Sequence, residues 1–313
     1  MKDKRPQGLA KHKVGIKSKR EKRGKRAQEV RGEAVTFSRR NEIISTIIMT
    51  IISIPIFLSY LWLFLSSFSA KMWHGLIPLS FTLHNWRFLW EPIKFGAVMH
   101  TSIWPITLNT LLLAFAVTFF EVLISTLSGY ALSRFRFKGR VVIQGMTMIL
   151  HAFPGVALLI AIYYVLYTIR LLDTLWGVML VKIALEIPMS TNIVKGFFDN
   201  IPWDVEWSSF VDGCNRWQTW RYVILPLLKP GIAAISLFSF LSGWGEFLYI
   251  YTFIFTSKKQ TLATFLNSLI GEFKFVDYGL LSAVATFYMI PTLLFFIFTQ
   301  KALLQMSFGG RKA

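Results

Sequence analysis

Four ionisable side chains, Glu121, Lys182, Glu186 and Glu246, stand inside stretches that are otherwise hydrocarbon. A charge in a lipid-crossing segment costs about 3 kcal/mol or more, so each needs a partner, a water-filled path or a functional reason. Lys182 and Glu186 are four residues apart and share one helical face, which favours mutual neutralisation. Direct contact with a transported molecule is the other reading. Glu246 suits either helix packing or the lining of a path, and Glu121 suits a contact with another helix. A second concentration of polar chemistry runs from Lys195 to Lys229, with Asp199, Asp204, Glu206, Asp212, Arg216 and Arg221 between them. That stretch carries too many charges to cross a membrane. Catalytic signatures are missing: there is no G-x-x-x-x-G-K-[ST] phosphate loop, no H-E-x-x-H and no G-x-S-x-G. A lone Cys214 excludes an internal disulfide and a cysteine-based metal cluster.

The elements that position these residues follow from the apolar runs. The chain is 54% hydrophobic and 16% charged, a balance that points to lipid as its main solvent. Six runs approach the roughly 20 residues needed to cross hydrocarbon: Ile43–Phe68, Thr107–Leu132, Val141–Ile169, the weaker Trp176–Val194, Ile232–Thr256 and Tyr278–Gln300. The fold class expected is therefore an all-α membrane protein with six transmembrane helices and a charged loop between the fourth and fifth. An even number puts both termini on one side. Residues 1–40 hold 15 Lys or Arg, and Arg134–Arg140 holds four basic residues and no acid, so that side is the cytoplasm. Residues 1–42 read as a basic, disordered cytoplasmic tail that touches anionic lipid headgroups rather than nucleic acid. It is too long for a cleaved signal peptide, so the first run is expected to stay as an anchor. The first span and an extracytoplasmic loop occupy 43–106, the five-helix core 107–304, and a cytoplasmic tail 305–313.

The charged loop, 195–231, reads as two short helices. Pro202 suits a first turn, Asp204 and Glu206 suit its positive end, and Gly213 is a stop. Asn215 can cap a second helix, which Pro226 ends. Trp203, Trp207, Phe210 and Val211 form a stripe on the first helix, and Trp217, Trp220 and Ile224 another on the second. Such stripes pack beneath membrane helices or dock a cytoplasmic protein. A DNA-binding helix-turn-helix fits poorly, because membrane spans tether both ends and the first helix is acidic.

Glu206-Trp207-Ser208-Ser209-Phe210-Val211-Asp212-Gly213-Cys214, followed by Leu225-Pro226-Leu227 and Pro230-Gly231, resembles the EAA motif of ABC importer permeases, E-E-A-A-x-x-D-G-A with a later L-P. "LLDTLWGVML", "LPLLKPGIAAISLFSF", "GWGEF" and the terminal "FGGRKA" resemble, in order, the second permease of maltose-type carbohydrate importers. The resemblance implies a permease subunit without its own ATPase site in the plasma membrane. Its implied partners are a second permease, an ATPase dimer that binds ATP and Mg²⁺, and an extracytoplasmic sugar-binding protein. Glu206, Ser208, Ser209, Asp212, Gly213, Leu225 and Pro226 fall on the positions through which such permeases couple to the ATPase. Trp207 departs from the family's second acid, and Cys214 from an alanine. Gly243-Trp244-Gly245-Glu246-Phe247 resembles the family's W-N-E-F segment, which makes Glu246, Trp244 and Tyr249 candidate pathway residues. Trp244, Tyr249, Tyr251 and Tyr288 suit stacking on sugar rings or anchoring at the interface, and His151 suits a sugar hydroxyl or a backbone group freed by Pro154. The competing class is a proton-coupled secondary transporter that uses the intramembrane carboxylates, and a third is an anchor without transport activity.

Overall fold

The computed structural model describes residues 41–75, 77–95, 98–100, 102–270 and 277–309. Two units divide the chain, Met1–Trp62 and Leu63–Ala313. The basic tail expected at 1–42 lies, up to residue 40, outside the described residues.

Helix α1, Asn41–Ser67, begins in the first unit. Its hydroxyl-bearing residues answer the problem of polar groups in hydrocarbon locally: Thr46 donates to Glu42 O at 2.8 Å, Thr50 to Thr46 O at 2.8 Å and Ser59 to Pro55 O at 2.9 Å. In the second unit the segment after α1, expected as a loop, carries two short ribbons within the helical fold. Strands β1, Ser69–Trp73, and β2, Ile77–Phe81, pair antiparallel with Trp73 opposite Ile77. Strands β3, Ile93–Phe95, and β4, Val98–His100, form a second ribbon. Between the ribbons Asn85 fixes the crossing by donating to Ser67 O and Ser69 O at 3.1 and 2.9 Å.

The membrane core is built around helix α2, Ile103–Arg134, which Ser102 caps by accepting from Trp104 N. It packs against α5, Leu175–Asp199, and α9, Lys229–Trp244. Lipid gives no hydrophobic drive for helices to associate, so close backbone approach does the work. At Gly243 a Cβ would stand 2.9 Å from the Ala114 Cα, so only glycine lets α9 lie this near α2. Around α2 sit three buried clusters, centred on Ile103 and Phe265, on Leu113 and Phe253, and on Tyr130 and Phe198.

Among the described residues, five helices are long and apolar enough to cross a membrane. The third expected span, Val141–Ile169, is not one rod. Helix α3, Arg140–Ala152, and the segment Gly155–Thr168, which ends in α4, Leu159–Thr168, meet at 94°. Pro154 explains the break: it cannot donate a backbone bond and it drives the preceding residue out of the helical region, so Phe153 sits extended at φ −77°, ψ 128°. His151 is exposed at the end of α3. The fifth span is also interrupted. After α9 the chain leaves the helix at residues 245–247 and resumes as α10, Leu248–Phe253. Helix α11, Leu262–Ile270, precedes the last described helix, α12, Tyr278–Gly309. It continues through 305–309, where a tail was expected, and 310–313 lie outside the described residues.

Candidate functional site

The charged loop is built from α6, Trp203–Val211, then α7, Arg216–Gln218, a π-helical turn Thr219–Ile224 and α8, Leu225–Leu227. Pro202 stands just before α6, and Asp204 and Glu206 occupy its first turn, where the positive end of the helix favours them. The stop at Gly213 is a full Schellman turn: Cys214 N donates to Ser209 O at 3.0 Å and Gly213 N to Phe210 O at 3.1 Å. Gly213 takes φ 86°, a conformation that a side chain resists. Asn215 and Gln218 then exchange side-chain and backbone bonds at 2.8 and 2.9 Å, a capping box. Contrary to expectation, Pro226 does not end this helix. The wider π turn ahead of it accommodates the missing N–H, and the chain stays helical to Leu227.

The faces of α6 are opposite to the arrangement of a helix packed through its aromatics. Trp203, Trp207 and Val211 point outward at 45%, 59% and 87% exposure, whereas Glu206 and Ser209 are buried. Glu206 Oε1 lies 2.5 Å from Arg134 Nε, with both side chains 2% exposed. Arg134 also donates from Nη2 to Ile201 O at 2.7 Å, and its guanidinium lies 4.6 Å from the Trp203 ring. The ion pair between Glu206 and Arg134 ties the loop to the end of α2. Ser209 and Thr219 share a hydroxyl hydrogen bond of 2.8 Å that joins α6 to the π turn. Ser208, Asp212, Gly213 and Pro226 are exposed, and Leu225 is half-buried beside Trp220 in an apolar groove of about 440 Å³ against α2. The seven residues expected to act in coupling thus divide: Glu206 and Ser209 hold the loop to its own chain, Leu225 lines the groove against α2, and Ser208, Asp212, Gly213 and Pro226 lie on the surface. Arg134 and Thr219 are the members that sequence reasoning missed. Their signal was weak, an arginine at the end of an apolar run and a threonine between tryptophans.

In the membrane, Lys182 Nζ lies 2.8 Å from Glu186 Oε1, the pairing that the i, i+4 spacing predicts, and 2.8 Å from Glu246 Oε2. Glu246 sits at the interruption of the fifth span and accepts from Tyr249 N at 2.8 Å, so it caps α10 while it holds Lys182. Ser242 donates to Glu186, and Ser190 donates to Glu121. Lys182, Glu186 and Glu246 therefore form one cluster linking α5 to the break in the fifth span, and Ser190 of α5 holds Glu121. Tyr249 is buried, its ring 5.9 Å from Lys182 Nζ and its hydroxyl over Gly155 at the bend of the third span. Trp244 is 2% exposed and is taken up by helix packing: its Nε1 donates to Tyr288 O, and the Tyr288 hydroxyl donates to Trp244 O, each at 3.1 Å. Neither Trp244 nor Tyr249 stands as an interface anchor. Tyr251, at 67% exposure, is open to the surroundings.

A third arrangement had no forecast. Asp173, between α4 and α5, accepts from Phe255 N at 2.9 Å, Thr256 N at 3.1 Å and the Thr256 hydroxyl at 2.6 Å, with Lys259 Nζ at 2.9 Å. The Thr256 hydroxyl above all, with the Lys259 ammonium and the two backbone N–H groups, holds the Asp173 carboxyl well below the ordinary carboxylate range. Among the described residues no group of His, Cys, Asp or Glu is arranged to hold a metal ion.

Comparison with known proteins agrees with this architecture. The chain is 32% identical over 205 residues to the maltodextrin transport system permease of Bacillus subtilis, covering 65% of this chain and 74% of that one. It is 27% identical to a diacetylchitobiose uptake system permease of Streptomyces coelicolor, covering 86% and 88%. The fold matches a chain of a bacterial ABC transporter involved in the import of the acidic polysaccharide alginate, with a TM-score of 0.68 at 20% identity over 84% of this chain and 96% of that one. The model of the binding-protein-dependent transport system inner membrane component matches residues 121–305, more than half of the sequence. The chain belongs to that family, a multi-pass membrane permease of ABC importers.

Proposed function

We propose that this permease forms half of the path for a sugar or oligosaccharide and is driven, through 195–231, by a separate ATPase. The substrate class rests on the relatives, among them permeases named for maltodextrin, diacetylchitobiose and galactooligosaccharides. The partners are a second permease, an ATPase dimer that supplies the sites for ATP and Mg²⁺, and an extracytoplasmic binding protein. This chain carries no phosphate-binding loop and acts as a mechanical rather than a chemical subunit. Both termini and the charged loop face the cytoplasm.

The single observation that carries the reading is the loop's construction. An exposed face bearing Trp207, Ser208, Val211 and Asp212 is available to a partner, while Glu206 on the opposite face is bound to Arg134 at the end of α2. A push on the outer face is passed to the membrane helices through that buried bond. The interruption at residues 245–247, braced by Lys182, gives the fifth span a place to bend.

Reconstitution with the ATPase and the second permease tests this. Uptake that needs ATP and the partner ATPase supports the proposal. Uptake driven by a proton gradient in this chain alone would establish instead the secondary transporter built on the membrane carboxylates. Orientation is tested at Cys214: an impermeant thiol reagent should label it in opened membranes and not in intact cells.

A further inference from the structure

Beside the loop lies a cavity of about 700 Å³ lined by Arg134, Phe135, Arg136, Trp203, Trp207 and Arg216, of which the coupling reading uses Arg134 and Trp207 but neither Arg136 nor Arg216. Its charge is unbalanced. Arg134 is spoken for by Glu206, but no acid lines the cavity to offset Arg136 and Arg216. Converging guanidinium groups repel one another and favour a bound anion, and a guanidinium fork matches a phosphate. The site is also fixed in place: the Arg216 guanidinium lies 5.2 Å from the Phe135 ring and 5.9 Å from the Phe210 ring, and Arg134 lies against Trp203.

Depth in the membrane says which phosphate. Arg134 is the last residue of α2 and Phe135 and Arg136 follow at once, while Trp203 comes four residues after Asp199, the last of α5. Arg134, Phe135, Arg136 and Trp203 therefore lie within a turn or two of the ends of two spans, which is headgroup level, and Arg216 is held beside them on the Phe135 ring. Exposed indoles beside arginines on the basic side of a span are the groups that partition there. We propose that this cavity binds the phosphate of an anionic phospholipid headgroup, with Arg136 and Arg216 as the charge-bearing contacts and Trp203 and Trp207 as the flanking walls. Lipid held there would set the resting position of α6 against the membrane.

The test uses the purified full-length chain in detergent micelles doped with phosphatidylglycerol or phosphatidylcholine, with retained lipid counted by native mass spectrometry. Wild type should retain phosphatidylglycerol in preference to phosphatidylcholine. Arg136→Gln and Arg216→Gln should each lower the apparent affinity for phosphatidylglycerol about 5-fold, and the double variant about 25-fold. Both side chains are exposed, so neither change removes a buried group. Arg221→Gln, an exposed arginine of the same loop outside the cavity, should leave retention as in wild type. Soluble glycerol phosphate distinguishes the source of the phosphate: it should fail to displace the lipid at equal concentration, and equal competition would make this a site for free phosphate. Equal retention in the double variant, or an equal loss in Arg221→Gln, would overturn the proposal. So would unchanged lipid retention combined with lost ATPase binding in lipid-free detergent, which would assign the cavity to a protein partner.

Discussion

Glu206 occupies the acidic position of the motif, and its burial makes a sharp prediction about how it acts. Replacing it by Ala leaves Arg134, 2% exposed, with its guanidinium beside a void instead of a carboxylate 2.5 Å away. Breaking a buried pair on one side costs roughly 3–5 kcal/mol, because the remaining charge has lost its compensation. Arg134 keeps its bond to Ile201 O and its place on Trp203, so the lower end of that range, about 3 kcal/mol, is expected here. The loss should appear twice, in the unfolding free energy of the purified chain and in substrate-stimulated ATPase activity of the assembled importer. A double-mutant cycle with Arg134→Met decides the mechanism. If Glu206 acts through Arg134, each single change lowers stimulation, and the double variant is no worse than the poorer single, giving a coupling energy of about 2 kcal/mol or more. If Glu206 reached the ATPase directly, Arg134→Met would leave stimulation intact and the two changes would add to within about 0.5 kcal/mol. Additivity would refute the reasoning.

Lys182→Met leaves Glu186 and Glu246 without their shared cation and should cost roughly 3–5 kcal/mol. Adding Glu246→Gln should recover at least half of that in the thermal midpoint of the detergent-solubilised protein. Gly213→Ala forces a side chain to φ 86° but meets nothing within 4 Å, so strain alone, roughly 1–2 kcal/mol, should fray the end of α6. Faster hydrogen exchange at the Gly213 and Cys214 amides reads this out. Asp173→Asn removes a carboxylate whose folded pKa is depressed, so its stabilisation is present above the ordinary value of about 3.9 and is lost as pH falls through the folded value. The variant should be less stable by roughly 1–2 kcal/mol at a constant gap from pH 5 to 8, with the gap closing only below about pH 4. A gap that already narrows at pH 6 would assign the effect to another group.

Much of this was legible in the residues because local chemistry decided it. Gly213 and Asn215 announce a stop and a cap through their own backbone preferences, and both act as read. The i, i+4 spacing of Lys182 and Glu186 gave their contact for the same reason. What was not legible depended on direction or distance. The aromatic stripe of α6 was visible, but an apolar face beside a membrane and an absent partner has two places to go, so burial of Glu206 rather than Trp207 could not be read from periodicity. Glu246 joins Lys182 across 64 residues, a pairing that no local spacing encodes. Pro154 was in view, yet hydropathy sums over it and returned a single span where two limbs meet at 94°. The short ribbons after α1 contain no long alternating run, which is why a helical class hid them.

That elbow has a consequence for how the protein must be made. Arg140–Ala152, 13 residues long, reaches about 20 Å, short of the roughly 30 Å of hydrocarbon. Neither limb can be threaded into the bilayer as a self-sufficient rod, and the uncoiled peptide groups at Phe153 and Pro154 cannot be left to bare acyl chains. The hinge must be wrapped by polypeptide or wetted from an aqueous lumen before it is stable. Its insertion therefore waits on its neighbours, and an orphaned copy of this subunit should present that corner to the quality-control machinery of the membrane.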